Sequence, residues 1–274
     1  MELKVPEGFG LGLRYSFAED VLTSERSPRW FEIAPENWMG RGGFFKRVLH
    51  GVRERFPVVC HGLSLSIGSP DEPNYDFLKE LKEFFREFEI GVYSEHLSFS
   101  SMEGDYLHDL FPLPFTEGMV KHVSEKIERV QGFLGMSLVL ENISYYYVPL
   151  KDMEEWEFIN AVLEESSAYM LLDVNNVYVN SVNHGYDPYE FIDRLPLDRV
   201  AYVHIAGHER GDRILIDTHG ERVKEEVVKL LSYLLSKRPD LPVLLERDNN
   251  IPPYEELLEE LEEIKGACDA QRVV

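Results

Sequence analysis

Cysteine is nearly missing from this chain, and that scarcity is the first constraint on its chemistry. Only Cys60 and Cys268 occur in 274 residues. They lie far apart with no C-x-x-C partner, which argues against a disulfide framework or a thiolate zinc site and points to the cytoplasm. No apolar run approaches the roughly 20 residues of a spanning helix, so no membrane segment is expected. The opening residues MELKVPEGFG show no basic region leading into an apolar stretch, so no secretory signal is read. Positive charge is also short: 28 Lys and Arg face 50 Asp and Glu, a formal net charge of −22. Much of the acid sits in stretches such as EELLEELEEI, the pattern of a solvated helix face. So acidic a molecule repels a phosphate backbone unless a basic groove compensates, and no run of Lys and Arg supplies one, so nucleic acid is not an expected partner. Gln131 and Gln271 are the only glutamines beside abundant Glu and Lys, a composition that points to a thermophilic source.

What is present is alternation. An apolar share of 44% is ordinary for a globular protein with a sizeable core. Eight short apolar segments recur: GFGLGLRY, WFEIAPEN, FPVVCHGLSLSI, IGVYSEHLSF, SLVLENISYY, YMLLDVNNVYV, VAYVHIAG and PVLLERD. Most are separated by stretches of helical period. Residues 74–89 place Phe77, Leu78, Leu81, Phe84, Phe85 and Phe88 on one face; residues 116–135 do so with Met119, Val123, Ile127, Val130 and Leu134, and residues 222–238 with Val223, Val227, Leu230 and Leu234. Alternating strand and helix implies parallel pairing, and continuous apolar runs imply strands covered on both faces. Eight units in this length predict one domain over residues 1–274, a single (β/α)8 TIM barrel. The first helix (residues 17–24) and the sixth (188–195) are short, so irregularity is expected there.

In a parallel barrel the C-terminal strand ends and the loops after them form the active face. Strand three ends near His61, strand four near Glu95 and His96, strand five at Glu141 and Asn142, and strand six at Asp173 with Asn176 following. Strand seven gives His204 with His208 after it, the next loop holds Asp217 and His219, and strand eight gives Glu246. Each alone has a plainer explanation: a hydrogen-bonded core histidine, a turn-forming Asn or Asp, a carboxylate paired with arginine. Together they would crowd several histidines and carboxylates into one barrel mouth, where the carboxylates repel one another unless protonated or bridged by cations. A multinuclear metal site resolves this. Imidazole and carboxylate without thiolate suit iron, zinc or manganese, with the metal site at the C-terminal face. Cys60 precedes His61 and so points to the other side of its strand.

The words FEIAPENWM, HGLSLSIG, SEHLSF, LLDVNNVYVNSVNHG, VHIAGH, DTHG and LLE together resemble the multinuclear non-haem iron-dependent oxidative enzymes, a family that includes the methanobactin biosynthesis oxidase. The resemblance runs from strand one to strand eight. It implies a barrel of xylose isomerase-like and endonuclease IV-like architecture holding two to three iron ions. It also implies use of dioxygen to rewrite cysteine in a ribosomally made precursor peptide, by oxazolone–thioamide formation or excision of a carbon beside the thiol. A small partner protein that presents the leader peptide goes with it. Carried over by motif, His61, His96 and Glu141 would hold one iron; Glu141 would bridge to a second held by Asp173, His204 and Glu246; Asp217 and His219, with Asn176 nearby, would form a third position. Glu141, Asp173 and His208 are the expected catalytic groups, and Asn142 and His184 are expected to face substrate. The same order of ligands also resembles the trinuclear zinc barrel of endonuclease IV, but a His would be expected there where Asn176 stands. A metal-dependent sugar isomerase or epimerase and a non-enzymatic binding module are the remaining alternatives.

Overall fold

The computed structural model describes residues 3–272. In chain order β1 (Phe9–Gly12), β2 (Phe31–Ile33), β3 (Val58–Gly62) and β4 (Tyr93–His96) are followed by a hairpin of β5 (Phe99–Met102) and β6 (Asp105–Phe111). Then come β7 (Leu138–Glu141), β8 (Tyr169–Asp173), β9 (Val200–Ile205), a short hairpin of β10 (Glu209–Arg210) and β11 (Leu215–Ile216), and β12 (Val243–Leu245). The eight strands outside the hairpins pair in parallel and close into a barrel, β1 joining β12 on one side and β2 on the other. The helices are α1 (Asp20–Thr23), α2 (Pro35–Trp38), α3 (Gly43–Arg55), α4 (Tyr75–Glu87), α5 (Glu117–Leu134), α6 (Glu155–Ser166), α7 (Val174–His184), α8 (Pro188–Arg194), α9 (Glu225–Lys237) and α10 (Tyr254–Arg272). Among the described residues no helix is long and apolar enough to cross a membrane. The three long amphipathic helices fall where their periodicity places them, and the first unit is irregular, a 3-10 turn at Tyr15–Phe17 ahead of the four-residue α1.

Two segments depart from the sequence reading. The run YMLLDVNNVYV is a strand only to Asp173; Val174 onward is α7. Asp173 is the N-cap, its Oδ1 accepting the Asn176 N–H at 2.6 Å, and a satisfied cap starts a helix even where β-branched residues follow. The run IGVYSEHLSF is a barrel strand only to His96; its last residue, Phe99, begins the β5–β6 hairpin.

Strand alternation sorts the core into two parts. One set, including Ile33, Cys60, Tyr93, Leu140, Leu172, Val203 and Leu245, packs outward with the helices. The other is a small interior cluster: Trp30, Val59, Val92, Val139, Leu171, Tyr202 and Leu244, one from each barrel strand or the residue just before it, β1 excepted. On β1 the position belongs to Gly10, where a Cβ would lie 2.4 Å from the Trp30 ring. That close approach requires glycine. Two residues further along each strand, on the same inward face, stand Glu32, His61, Ser94, Glu141, Asp173, His204 and Glu246. The barrel interior is thus an apolar plug capped by a layer of polar side chains.

Candidate metal centre

The polar layer contains three histidine–carboxylate groupings built on different strands. His61 Nε2 and His96 Nε2 lie 3.1 and 3.3 Å from Glu141 Oε2, and 3.1 Å from each other. His204 sits between two carboxylates, its Nε2 2.9 Å from Glu32 Oε1 and its Nδ1 3.0 Å from Glu246 Oε2. His219 reaches Asp217 Oδ1 at 2.8 Å and Asp173 Oδ2 at 3.8 Å through Nε2, and Glu246 Oε2 at 3.1 Å through Nδ1. Four sets of three, all drawn from these residues, bring ligand atoms within 4.8 Å of one another: His61–His96–Glu141, Glu32–His204–Glu246, Glu141–Asp173–His204 and Asp173–His219–Glu246.

Several of these atoms are buried and have no hydrogen-bond partner among the described residues: Glu141 Oε2, Asp173 Oδ2, both ring nitrogens of His204 and His219 Nε2. They face a neighbouring ligand atom closely but without the alignment of a hydrogen bond. Ligands at about 2.1 Å from one cation and at right angles stand about 3.0 Å apart, so this is the spacing of atoms that share a metal. Orphaned buried polar atoms are costly, and a cation in their midst satisfies them. The donors are nitrogen and oxygen only; Cys60 turns outward into the helix-facing core, where burial pushes its thiol up.

Proton energetics are consistent with a cation site. Burial drives Glu141 upward, but His96, His61 and His204 outweigh it and hold the carboxyl at about 2. Burial lowers His61, yet the carboxylates of Glu141 and Glu32 raise it to about 9, whereas burial and the neighbouring His61 leave His96 at about 4 against the pull of Glu141. Burial, then the charges of Glu141 and Asp217, push Asp173 well above the ordinary range despite His219. As protein groups alone, the cluster balances only by charging histidines; metal ligation displaces those protons.

The remaining expected residues are placed as follows. Asn176 lies in the cluster, its Nδ2 donating to Glu141 Oε1 at 3.3 Å and to the Asn142 carbonyl at 3.0 Å. Asn142 clips β7 to β8, donating to the Asp173 carbonyl and accepting the Asp173 N–H, both at 3.0 Å. His184 is exposed at the end of α7, its Nε2 2.8 Å from the Tyr145 carbonyl. His208 is buried, with Nδ1 2.8 Å from Asn175 Oδ1, and Asn175 Nδ2 donates to Asp217 Oδ1 at 2.8 Å; it lines a separate cavity of about 420 Å³. Asn142, His184 and His208 therefore do not line the cavity over the metal cluster. Glu95 points away from the interior and accepts the backbone N–H groups of Ser64 and Leu65.

Sequence reasoning passed over Glu32. Its signal was there: an acid between Phe31 and Ile33, two residues after the interior Trp30, repeats the Leu171–Asp173 and Val139–Glu141 spacing. Asp248, with Oδ2 3.3 Å from His219 Nδ1, follows Glu246 by the same step of two.

Above the polar layer opens a cavity of about 1120 Å³. His61, His96, Glu141, Asn176, His219 and Glu246 reach its floor, and Tyr106, Phe111 and the Tyr145–Tyr147 stretch form its wall. Arg14 is the only Lys or Arg among the lining residues, and it is committed to Asp248 at 2.5 Å.

A family model for RiPP precursor modification enzymes of the MbnB/TglH/ChrH type, which act on ribosomally synthesised and post-translationally modified peptides, matches residues 8–269. The chain belongs to this family. Relatives at the level of whole sequences carry the name UPF0276 protein: one from Acinetobacter baylyi is 48% identical over 259 residues, covering 94% of this chain and 90% of that one. Another, from Haemophilus influenzae, is 43% identical and covers 94% of each. Among solved structures, the 3-keto-D-glucoside 4-epimerase of E. coli superposes with a TM-score of 0.64 at 16% identity, covering 95% and 99% of the two chains. Endonuclease IV from Thermus thermophilus gives 0.62 at 18%, covering 97% and 100%. At these identities the likeness is one of fold, the xylose isomerase-like and endonuclease IV-like TIM barrel.

Proposed function

We infer that the protein is a multinuclear iron enzyme that uses dioxygen to modify cysteine residues of a ribosomally synthesised precursor peptide. The observation that carries this reading is the convergence of nitrogen and oxygen ligands beneath an open, aromatic-walled cavity, in a chain of the MbnB/TglH/ChrH family. His61, His96 and Glu141 would hold one ion; Asp173, His204 and Glu246, with Glu141 shared, a second; Asp217 and His219, beside Asn176, a third. Bound iron would supply one-electron oxidation chemistry with dioxygen.

The chain's own groups account for the rest. Glu141 is kept ionised by its histidines, and a carboxylate with two oxygens is the ligand type that serves two cations. Asn176 holds the Oε1 end of that carboxylate, and Ser144 donates to Asp217 Oδ2 at 2.8 Å, so both are oriented before substrate arrives. His208 acts through Asn175 on Asp217. The aromatic wall shields a bound peptide segment from water and leaves its thiol over the floor. A cavity with one committed arginine offers a nucleic-acid backbone no counter-charge. A small partner protein that presents the leader peptide belongs to this reading.

The test is direct. Iron-loaded enzyme and the cysteine-containing peptide encoded beside the gene, with and without that partner, should give a mass change on cysteine only with dioxygen. Zinc- and iron-loaded enzyme should leave abasic DNA intact. Strand cleavage with zinc, or no oxygen-dependent product on the peptide, would move the protein to another activity.

A further inference from the structure

Three side chains outside the expected ligand set join two of the histidines through the barrel interior. His61 Nδ1 lies 2.8 Å from Ser94 Oγ, and Ser94 Oγ lies 2.6 Å from the Tyr202 hydroxyl. Tyr202 donates to Glu32 Oε2 at 2.7 Å, and the other oxygen of Glu32 stands 2.9 Å from His204 Nε2. All five residues are buried, Ser94, Tyr202 and His204 completely. The path runs from β3 to β4, crosses the barrel to β9, passes to β2 and returns to β9 at His204, linking strands that are not all neighbours in the sheet.

Counting protons gives this path a direction. A carboxylate has none to give, so the single hydroxyl proton of Tyr202 goes to Glu32. The Tyr202 oxygen can then only accept, so the one hydroxyl proton of Ser94 goes to it at 2.6 Å rather than to the Cys60 carbonyl 3.3 Å away. Ser94 Oγ in turn accepts from His61, so the proton in that contact is on His61 Nδ1. The lone pair left for a cation is on Nε2, the atom 3.1 Å from both Glu141 Oε2 and His96 Nε2. A ring nitrogen fixed by a hydrogen bond on its far side is how proteins set the tautomer and orientation of a metal-binding histidine.

We propose that Ser94, Tyr202 and Glu32 form a positioning belt that locks His61 in its Nε2-presenting tautomer and ties it to His204, so that the two metal positions fill as one unit. Ser94 and Tyr202 do not line the cavity; they are positioning residues. The consequence for metal loading rests on the metal-enzyme reading above, whereas the run from His61 to Glu32 is a matter of side-chain hydrogen bonds, with His204 set close against Glu32 at its end.

The test compares Tyr202→Phe and Ser94→Ala with Ser94→Thr, which restores a hydroxyl, and with Tyr233→Phe, which removes a hydroxyl that meets Asp193 and Lys237 at the surface, away from the barrel interior. Tyr202→Phe keeps the ring that packs edge-on against Trp30 at 5.8 Å. In the metal-free full-length chain, nitrogen-15-edited spectra should show a slowly exchanging proton on His61 Nδ1 in the wild type, Tyr233→Phe and Ser94→Thr. That signal should be lost in Tyr202→Phe and Ser94→Ala. With cobalt(II), the same two variants should release metal to a chelator at roughly 10–100-fold lower chelator concentration, the range for loss of a ligand-orienting partner. Their visible absorption should change, and release in one step should become release in two. A His61 Nδ1 proton that exchanges as fast in the wild type as in the variants would overturn the belt. Wild-type cobalt affinity and spectrum in both variants, or a wild type that holds no cobalt at all, would overturn the joint filling of the two metal positions. A wild type that holds cobalt as expected but converts no peptide with iron would sink the oxidative reading and leave the belt standing.

Discussion

Glu141 shows how much one side chain can be asked to do. Its Oε2 faces two histidine nitrogens, its Oε1 meets Asn176, and the histidines keep it ionised in a fully buried setting. Glu141→Gln keeps the shape but leaves one metal-binding oxygen and no charge. Metal analysis should find this variant poorer in iron than His96→Ala, which removes only a terminal ligand, and activity should fall by more than the roughly 10–100-fold that outer-sphere changes cost. Full metal content in Glu141→Gln would end the bridging assignment. Asp173 divides its labour between its two oxygens: Oδ1 caps α7 and Oδ2 is the orphan facing His219. Asparagine caps a helix as well as aspartate does, so Asp173→Asn should lose metal while keeping the cap, whereas Asp173→Ala should lose metal and about 1 kcal/mol of stability as well. Equal melting temperatures for the two metal-free variants would show that the cap contributes nothing.

Elements carry consequences that single residues do not. The start of α6 buries Glu155 against the Tyr145 hydroxyl at 2.9 Å, and Tyr145 belongs to the cavity wall. Burial, opposed by the Tyr145 hydrogen bond and Lys151, raises Glu155 from the ordinary 4.5 to about 8. Between those values the folded chain holds a proton that the unfolded chain has released, so this group's contribution to stability falls as pH rises from about 4.5 to about 8. Glu155→Gln is permanently neutral and should escape that decline. Urea midpoints should favour the variant over the wild type progressively from pH 5 to pH 8; a constant difference would refute the assignment. The hairpin of β5 and β6 and the loop after β7 together supply the exposed aromatic side chains Tyr106, Phe111, Tyr146 and Tyr147 around one cavity. The fold's variable βα loops are thus where the cavity acquires its wall, while the ligands stand on the rigid strands.

For the molecule as a whole, cations held in the polar layer would couple to the stability of the barrel. A layer of buried carboxylates and imidazoles sits directly on the apolar plug of Trp30, Val59, Val92, Val139, Leu171, Tyr202 and Leu244, and the chain already carries a charge of −22. Cations that bind the folded layer and not the unfolded chain add about 2.7 kcal/mol per site at a hundredfold excess over Kd. At roughly 2–4 °C per kcal/mol for a domain near this size, chelation should lower the melting temperature by several degrees, reversed by iron. A melting temperature indifferent to chelator would mean that the layer is stable on its own protons.

The sequence by itself determined the barrel, its strand order and the end that carries the chemistry. Period-2 strands and period-3.6 helices are local signals, and alternation of the two leaves a parallel closed sheet as the economical solution. It also marked the nitrogen and oxygen donors His61, His96, Glu141, Asp173, His204, His219 and Glu246 that gather in the barrel mouth, because an ionisable residue at an apolar strand's end is visible in one dimension. Glu32 was legible by the same spacing, though its short strand runs straight into the Pro35 turn. Tertiary structure alone decided that Asn142 clips two strands together, that His184 lies outside the cavity over the metal cluster, and that His208 faces a different cavity. It alone joined Ser94, Tyr202 and Glu32 across the interior. Contacts between strands that are distant in the chain depend on the register and curvature of the closed sheet, and no local pattern encodes those.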